Sequence, residues 1–197
     1  MTGMLLYRIL RVFFRPFFRV LFGAEVIGVE NMPLEGGVIL AANHMSNWDP
    51  PFLATYLDRP VSYMAKQELF EIPVFGAVIR RLFAFPVRRG AADRAAIKAA
   101  LAAIKEGRCV GIFPEGTRSR DGEIHKGGSG VSLLAAMGKV PVVPAAIIGT
   151  NEMKRLKVIY GAPMYFEGKA DRVSLEAFSQ KIMGEIAKMK NFHGGNT

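Results

Sequence analysis

The sequence holds one cysteine and three histidines in 197 residues. A lone thiol, Cys109 in the apolar run Arg-Cys-Val-Gly-Ile-Phe, excludes an internal disulfide and a thiolate-rich metal cluster, and it is compatible with a reducing compartment. His44, His125 and His193 are scattered without the short spacings of metal ligands, so no metal site is expected. No Gly-Lys-Ser/Thr follows the glycines at 127–130, which removes the nucleotide P-loop. Repeats and low-complexity linkers are absent, and the length suits one domain with its own core. No acid occurs before Glu25.

Half of the residues (50%) are hydrophobic, with Gly and Pro recurring between apolar stretches, which fits a compact α/β chain rather than a disordered one. Lys plus Arg outnumber Asp plus Glu by 26 to 17, so a polyanion is the expected partner, either a lipid surface or nucleic acid.

The distribution of charge decides between them. From Leu5 to Phe22 bulky apolar residues are interrupted by Arg8, Arg11, Arg15 and Arg19. At the pitch of an α-helix these arginines fall within an arc of roughly 80°, with Leu6, Leu10, Phe13 and Phe17 on the other side. A transmembrane span places them in hydrocarbon at about 2.5 to 3.5 kcal/mol each near the centre. Lying flat avoids that cost. Between Arg8 and Glu25 the longest uncharged run is Val20 to Ala24, too short for a secretory signal. The expectation is an interfacial anchor over residues 1–24, kinked or divided at Pro16, with a core-packing helix that leaves its arginine face in water as the alternative. Nucleic acid fits poorly, because bases cannot stack on phenylalanines turned away from the arginines that hold the phosphates.

Residues 25–190 read as the folded domain and 191–197 as a loose tail. Val38 to Ala42 is a buried-strand run that ends at Asn43-His44, and Val110 to Phe113 is another that ends at Pro114-Glu115-Gly116-Thr117-Arg118. Between them Asp93 to Glu106 is an alanine-rich helix with Gly107 as its cap. Strand, helix, strand is the crossover pattern of a largely parallel or mixed sheet flanked by helices, whose strand tips share one rim. Further strands are expected near 61–65, 85–87, 142–148 and 158–162, with helices near 132–137 and 175–189.

His44 is the one histidine at a strand tip, and Asp49 follows five residues later. Imidazole accepts a proton near neutral pH, and a carboxylate can fix its tautomer. Asp49-Pro50 also reads as a helix start, so Asp49 is either the partner of His44 or merely an N-cap. The second tip offers a glycine, a hydroxyl and a guanidinium in one loop, a combination that suits a phosphate monoester but also occurs in ordinary polar turns.

Together, Asn43-His44-x-x-x-x-Asp49 and, about seventy residues later, Phe113-Pro114-Glu115-Gly116-Thr117-Arg118 resemble the glycerolipid acyltransferase family, in particular its bacterial 1-acylglycerol-3-phosphate members. The similarity spans roughly residues 28–163. It implies that His44 is the general base for the acceptor hydroxyl, that Asp49 orients it, and that the hydroxyl attacks an acyl thioester directly, an already activated group that calls for no cofactor. It assigns acceptor binding to Glu115, Gly116, Thr117 and Arg118. The block Phe85-Pro86-Val87-Arg88-Arg89-Gly90 matches another family motif, with Arg89 given the phosphate role although the family commonly has a single basic residue there. Asn43, Ser46 and Pro144, the last in Val140-Pro141-Val142-Val143-Pro144, complete the match. The implied donor is acyl-coenzyme A or acyl-carrier protein, the acceptor lysophosphatidic acid, and the location peripheral on the cytoplasmic face of the cell membrane. Glycerol-3-phosphate or another lysophospholipid is the alternative acceptor. A serine hydrolase at Gly127-Gly128-Ser129-Gly130 fails because Val131 stands where the elbow needs glycine. A non-catalytic lipid-binding protein is the rival from another class.

Overall fold

The computed structural model describes residues 3–87, 94–119 and 121–194. Seven strands form one sheet: β1 (Glu25–Ile27), β2 (Val38–Ala42), β3 (Val61–Lys66), β4 (Phe85–Val87), β5 (Cys109–Ile112), β6 (Val142–Ile148) and β7 (Lys157–Tyr160). Their order is β1-β7-β6-β2-β5-β3-β4. All pairings are parallel except β6 with β7, so the sheet is mixed, as its sequence grammar implies. Among the described residues six α-helices cover it: α1 (Gly3–Phe22), α2 (Asp49–Thr55), α3 (Phe75–Arg81), α4 (Arg94–Lys105), α5 (Gly130–Gly138) and α6 (Arg172–Gly194).

A strand buried on both faces needs apolar residues throughout, and β2, Val-Ile-Leu-Ala-Ala, is buried at every position. Its alternate side chains feed two cores. Val38, Leu40 and Ala42 join Tyr7 and Phe18 of α1 and Phe52 of α2. Ile39 and Ala41 join Ala100 of α4, Leu134 of α5 and Ile182 of α6 on the opposite face. Gly111 in β5 is required by close packing, since a Cβ there would lie 2.3 Å from the ring of Tyr63.

Helix α4 ends as the sequence predicts: the N–H of Gly107 bonds to Ile104 O and that of Arg108 to Ala103 O, the paired bonds of a Schellman cap. Three details differ from expectation. Helix α1 runs unbroken through Pro16, which is exposed and removes one N–H without ending the helix. Asp49 is the first residue of α2 rather than its N-cap. The last helix continues to Gly194, past the point where a loose tail is expected, because its stripe of Phe178, Ile182 and Ile186 packs on the sheet and the backbone simply continues.

Short elements escape the sequence reading. Strand β1 has three residues at the sheet edge, and α3 has only seven. Arg59 is another surprise, a buried guanidinium donating to the carbonyls of Pro33, Gly36 and Gly107, each at 2.6 Å. It ties the loops at the amino-terminal ends of β2 and β5.

Candidate active site

Strands β2 and β5 are parallel neighbours, Val38 opposite Cys109 through Ala41 opposite Ile112, so their tips arrive side by side. Asn43, just past β2, is anchored sideways to β6: its amide donates to Ile147 O at 2.9 Å, and Ile147 N–H donates to its side-chain oxygen at 2.7 Å. That bracket fixes where the next residue, His44, leaves the sheet.

The imidazole of His44 stacks on Phe113 with ring centroids 4.1 Å apart, and Phe113 stacks on Tyr63. Its Nδ1 lies 2.7 Å from Oδ2 of Asp49. With Asp49 ionised, Nδ1 carries the hydrogen and Nε2 the lone pair. Nε2 has no hydrogen-bond partner among the described residues.

Asp49 is fully buried (0% exposed). Its Oδ2 also accepts the N–H groups of Met45 at 2.6 Å and Ser46 at 2.7 Å, while Oδ1 accepts the hydroxyl of Thr150 at 2.5 Å. The turn between His44 and Asp49 therefore wraps around the carboxylate. None of these donors is an N–H of α2, so the bond pattern is that of a histidine partner and not of a helix cap. Ser46 contributes through its backbone, and its hydroxyl accepts the N–H of Trp48 at 3.3 Å.

The second tip is stapled to the first. Glu115 takes the N–H of His44 on one oxygen at 3.0 Å and the N–H of His125 on the other at 3.2 Å. Both oxygens thus brace loops, and the negative charge would repel a phosphate, so its geometry is that of a strap. Ser119 N–H donates to His44 O at 2.8 Å. Arg118 donates to the side-chain oxygen of Asn47 at 3.0 Å, joining the loops from the solvent side. Gly116, Thr117 and Arg118 are exposed beside the imidazole loop, and Gly116 turns with φ +70°. Arg89 lies outside the described residues. Pro144 sits within β6 opposite Ala41, where the β6–β7 ladder gives out at Gly161, so its missing N–H is tolerated.

Close by, Asp121 accepts bonds from the Ser119 hydroxyl and the Glu123 N–H, which hold its carboxyl down at about 2. Cys109, at the amino-terminal end of β5 and away from this rim, is fully buried, and burial pushes its thiol up to about 12. Among the described residues no group of three or more His, Cys, Asp or Glu is gathered to hold a metal ion.

Helix α1 forms the flank of the site. Phe14, Phe17 and Phe18 surround Trp48, with centroids 6.4, 5.9 and 6.2 Å away, and Trp48 lies inside the turn between His44 and Asp49. Arg11 is paired with Asp58, and Arg15 donates to the carbonyls of Thr55 and Tyr56 at 3.1 and 3.2 Å. These two cations are engaged by the far end of α2, while Arg8 and Arg19 remain exposed. The outward stripe is apolar: Leu5, Ile9, Val12, Phe13 and Val20 fall within an arc of roughly 100° and are 48 to 78% exposed. No helix among the described residues is long and apolar enough to cross a membrane.

The sequence reading does not find Thr150. Its one local signal is a polar residue at the end of the apolar run of β6, the same mark that singles out Asn43-His44.

Known proteins are similar to this chain in sequence and in fold. The family model described as Acyltransferase matches residues 23–148. The 1-acyl-sn-glycerol-3-phosphate acyltransferase of Bacillus subtilis is similar, at 34% identity over 179 residues covering 86% of this chain and 89% of the relative. The Pseudomonas aeruginosa protein of the same name is 31% identical over 189 residues, covering 84% of this chain and 71% of its own. The crystal structure of the 1-acyl-sn-glycerophosphate (LPA) acyltransferase from Thermotoga maritima superposes with a TM-score of 0.75 at 24% identity, covering 93% of this chain and 80% of that one. The last of these speaks for the fold alone.

Proposed function

The chain belongs to the acyltransferase family, and from that premise we propose that it transfers a fatty acyl group from a thioester to the sn-2 hydroxyl of 1-acylglycerol-3-phosphate, giving phosphatidic acid. The observation that carries the reading is the short contact between His44 Nδ1 and the buried, four-times bonded carboxylate of Asp49 at the tip of β2.

In this reading Nε2 of His44 takes the proton of the acceptor hydroxyl as its oxygen bonds to the thioester carbonyl carbon. The tetrahedral adduct collapses, the carbon–sulfur bond breaks, and the departing thiolate takes the proton back from Nε2. No acyl-enzyme forms. A thioester is already activated, so positioning two substrates and supplying one base, worth about 10²- to 10⁴-fold, accounts for much of the rate. The loop of Gly116, Thr117 and Arg118 is suited to the acceptor phosphate, with backbone donors and a fixed fork. Arg89 is the further phosphate ligand that the family motif implies. Glu115 acts indirectly, by holding the His44 loop and the Gly116 loop in register.

The outward stripe of α1 supports a peripheral seat on the bilayer, with Leu5, Ile9, Val12, Phe13 and Val20 in the acyl boundary and Arg8 and Arg19 near anionic headgroups. The inward phenylalanines of the same helix, Phe14, Phe17 and Phe18, meet Trp48 and so set that seat against the turn of His44.

The test is purified protein given a radiolabelled acyl thioester with a panel of lysolipids and glycerol-3-phosphate. Lysophosphatidic acid is expected to be labelled, and His44→Ala is expected to abolish transfer while vesicle binding survives. Full transfer by His44→Ala, or labelling of glycerol-3-phosphate alone, contradicts the proposal.

A further inference from the structure

On the sheet face opposite α1, helices α4 and α5 pack side by side and leave a groove of about 620 Å³. Its floor is apolar: Ile97 and Leu101 from α4, Leu133 and Met137 from α5, with Met137 55% exposed. Its lip is cationic. Arg94, Lys98 and Lys105 line the groove and are exposed, and at the helical pitch they share an arc of roughly 40°. Among the described residues none of the three has an ion-pair partner, and no acid lines the groove.

The groove has a direction. Helix α4 follows β4 and precedes β5, and α5 follows the Gly116 loop and precedes β6, so both start at the rim that carries His44 and run back beneath the sheet. Helix α4 packs on β3, β4 and β5, and α5 on β2. The groove therefore overlies the pair of strands, β2 and β5, whose tips build the site. A bilayer seated on α1 would leave this face in water.

We propose that the α4–α5 groove is the docking site of the acyl donor, and that the donor is a small acidic carrier protein which lays a negatively charged amphipathic helix along it. The inference rests on the acyl-transfer reading and deepens it, since that reading leaves the donor open between a carrier protein and coenzyme A. An apolar floor with a one-sided row of cations matches a helix with an apolar face and an acidic edge. The phosphates of coenzyme A would use the cations but not a floor that runs the length of α4. A helix so placed has one end at the rim, from which a thioester on a flexible arm reaches the imidazole. The cations steer the encounter, so docking weakens as salt rises.

The test uses unacylated acyl-carrier protein as the binding probe, and acyl-carrier protein and coenzyme A thioesters of the same fatty acid as donors. The variant is R94E/K98E/K105E, with Leu101→Gln as a second that keeps the charge; both are checked for folding by thermal unfolding. The charge reversal is expected to weaken carrier binding by at least about tenfold and to raise the KM for the carrier thioester in parallel, with the KM for lysophosphatidic acid and the turnover of the coenzyme A thioester unchanged. Leu101→Gln is expected to weaken carrier binding in the same sense. Carrier binding that is equal in wild type and in the folded charge-reversal variant overturns the proposal, as does transfer from coenzyme A with no detectable carrier binding. Carrier binding lost in the variant, with no transfer from either donor in the wild type, leaves the docking site standing and removes the acyl-transfer reading instead.

Discussion

Replacing Thr150 with valine tests the geometry most sharply, because it removes one hydroxyl and little else. Thr150 is 1% exposed and donates to Oδ1 of Asp49, which is itself fully buried. Valine has nearly the same shape, so the change leaves a buried carboxylate oxygen without its donor. A hydrogen bond to a charged group is worth about 1.5 to 3 kcal/mol. If half or more of that appears as misalignment of the carboxylate against His44, kcat falls by roughly threefold to a hundredfold. The KM for either substrate should stay within about twofold, since Thr150 reaches the reaction only through Asp49. Thr150→Ser keeps the hydroxyl and should restore most of kcat. Steady-state kinetics on protein shown to be folded by circular dichroism decides the matter. A Val variant with wild-type kcat, or a Ser variant as impaired as the Val variant, refutes the reasoning.

Three further outcomes follow from other parts of the molecule. Arg59→Ala strips donors from three carbonyls and should cost about 3 to 5 kcal/mol, lowering Tm by roughly 10 °C or more in a scan, whereas an unchanged Tm would mean that water substitutes freely. Burial raises the Cys109 thiol from 9.0 to about 12, so the unfolded chain ionises first and stability falls as pH rises between those values. Urea unfolding from pH 8 to 11 should show a shallower decline in Cys109→Ala than in wild type, and equal slopes would contradict the assignment. Val12→Asn with Val20→Asn removes two outward apolar side chains and should weaken binding to phosphatidylglycerol vesicles by roughly tenfold to a hundredfold in a sedimentation assay, with unchanged binding telling against the α1 seat.

Much of the fold is legible in the sequence where burial is strong. β2, β5 and β6 are continuous apolar runs, and a parallel sheet buried on both faces has no other way to be written. His44 and Asp49 are legible because their contact is local, closed by a turn of five residues. Thr150 is not, since its partner lies 101 positions away and its one local mark, a polar residue past the apolar run of β6, does not say which group it meets. Arg11 and Arg15 show the same limit: helical periodicity finds the cationic stripe but not Asp58 and the carbonyls that claim part of it. Glu115 reads as one more polar group in a binding loop, and only the bonds to His44 and His125 reveal a strap.

The clasp between α1 and Trp48 bears on any shortened form of this protein. Cutting away the first twenty-two residues would do more than remove the proposed bilayer seat: Phe14, Phe17 and Phe18 would vanish from around the indole, opening one wall of the housing in which the His44–Asp49 turn is kept. A water-compatible form is better reached by repainting the helix's outer face while leaving its inner phenylalanines alone.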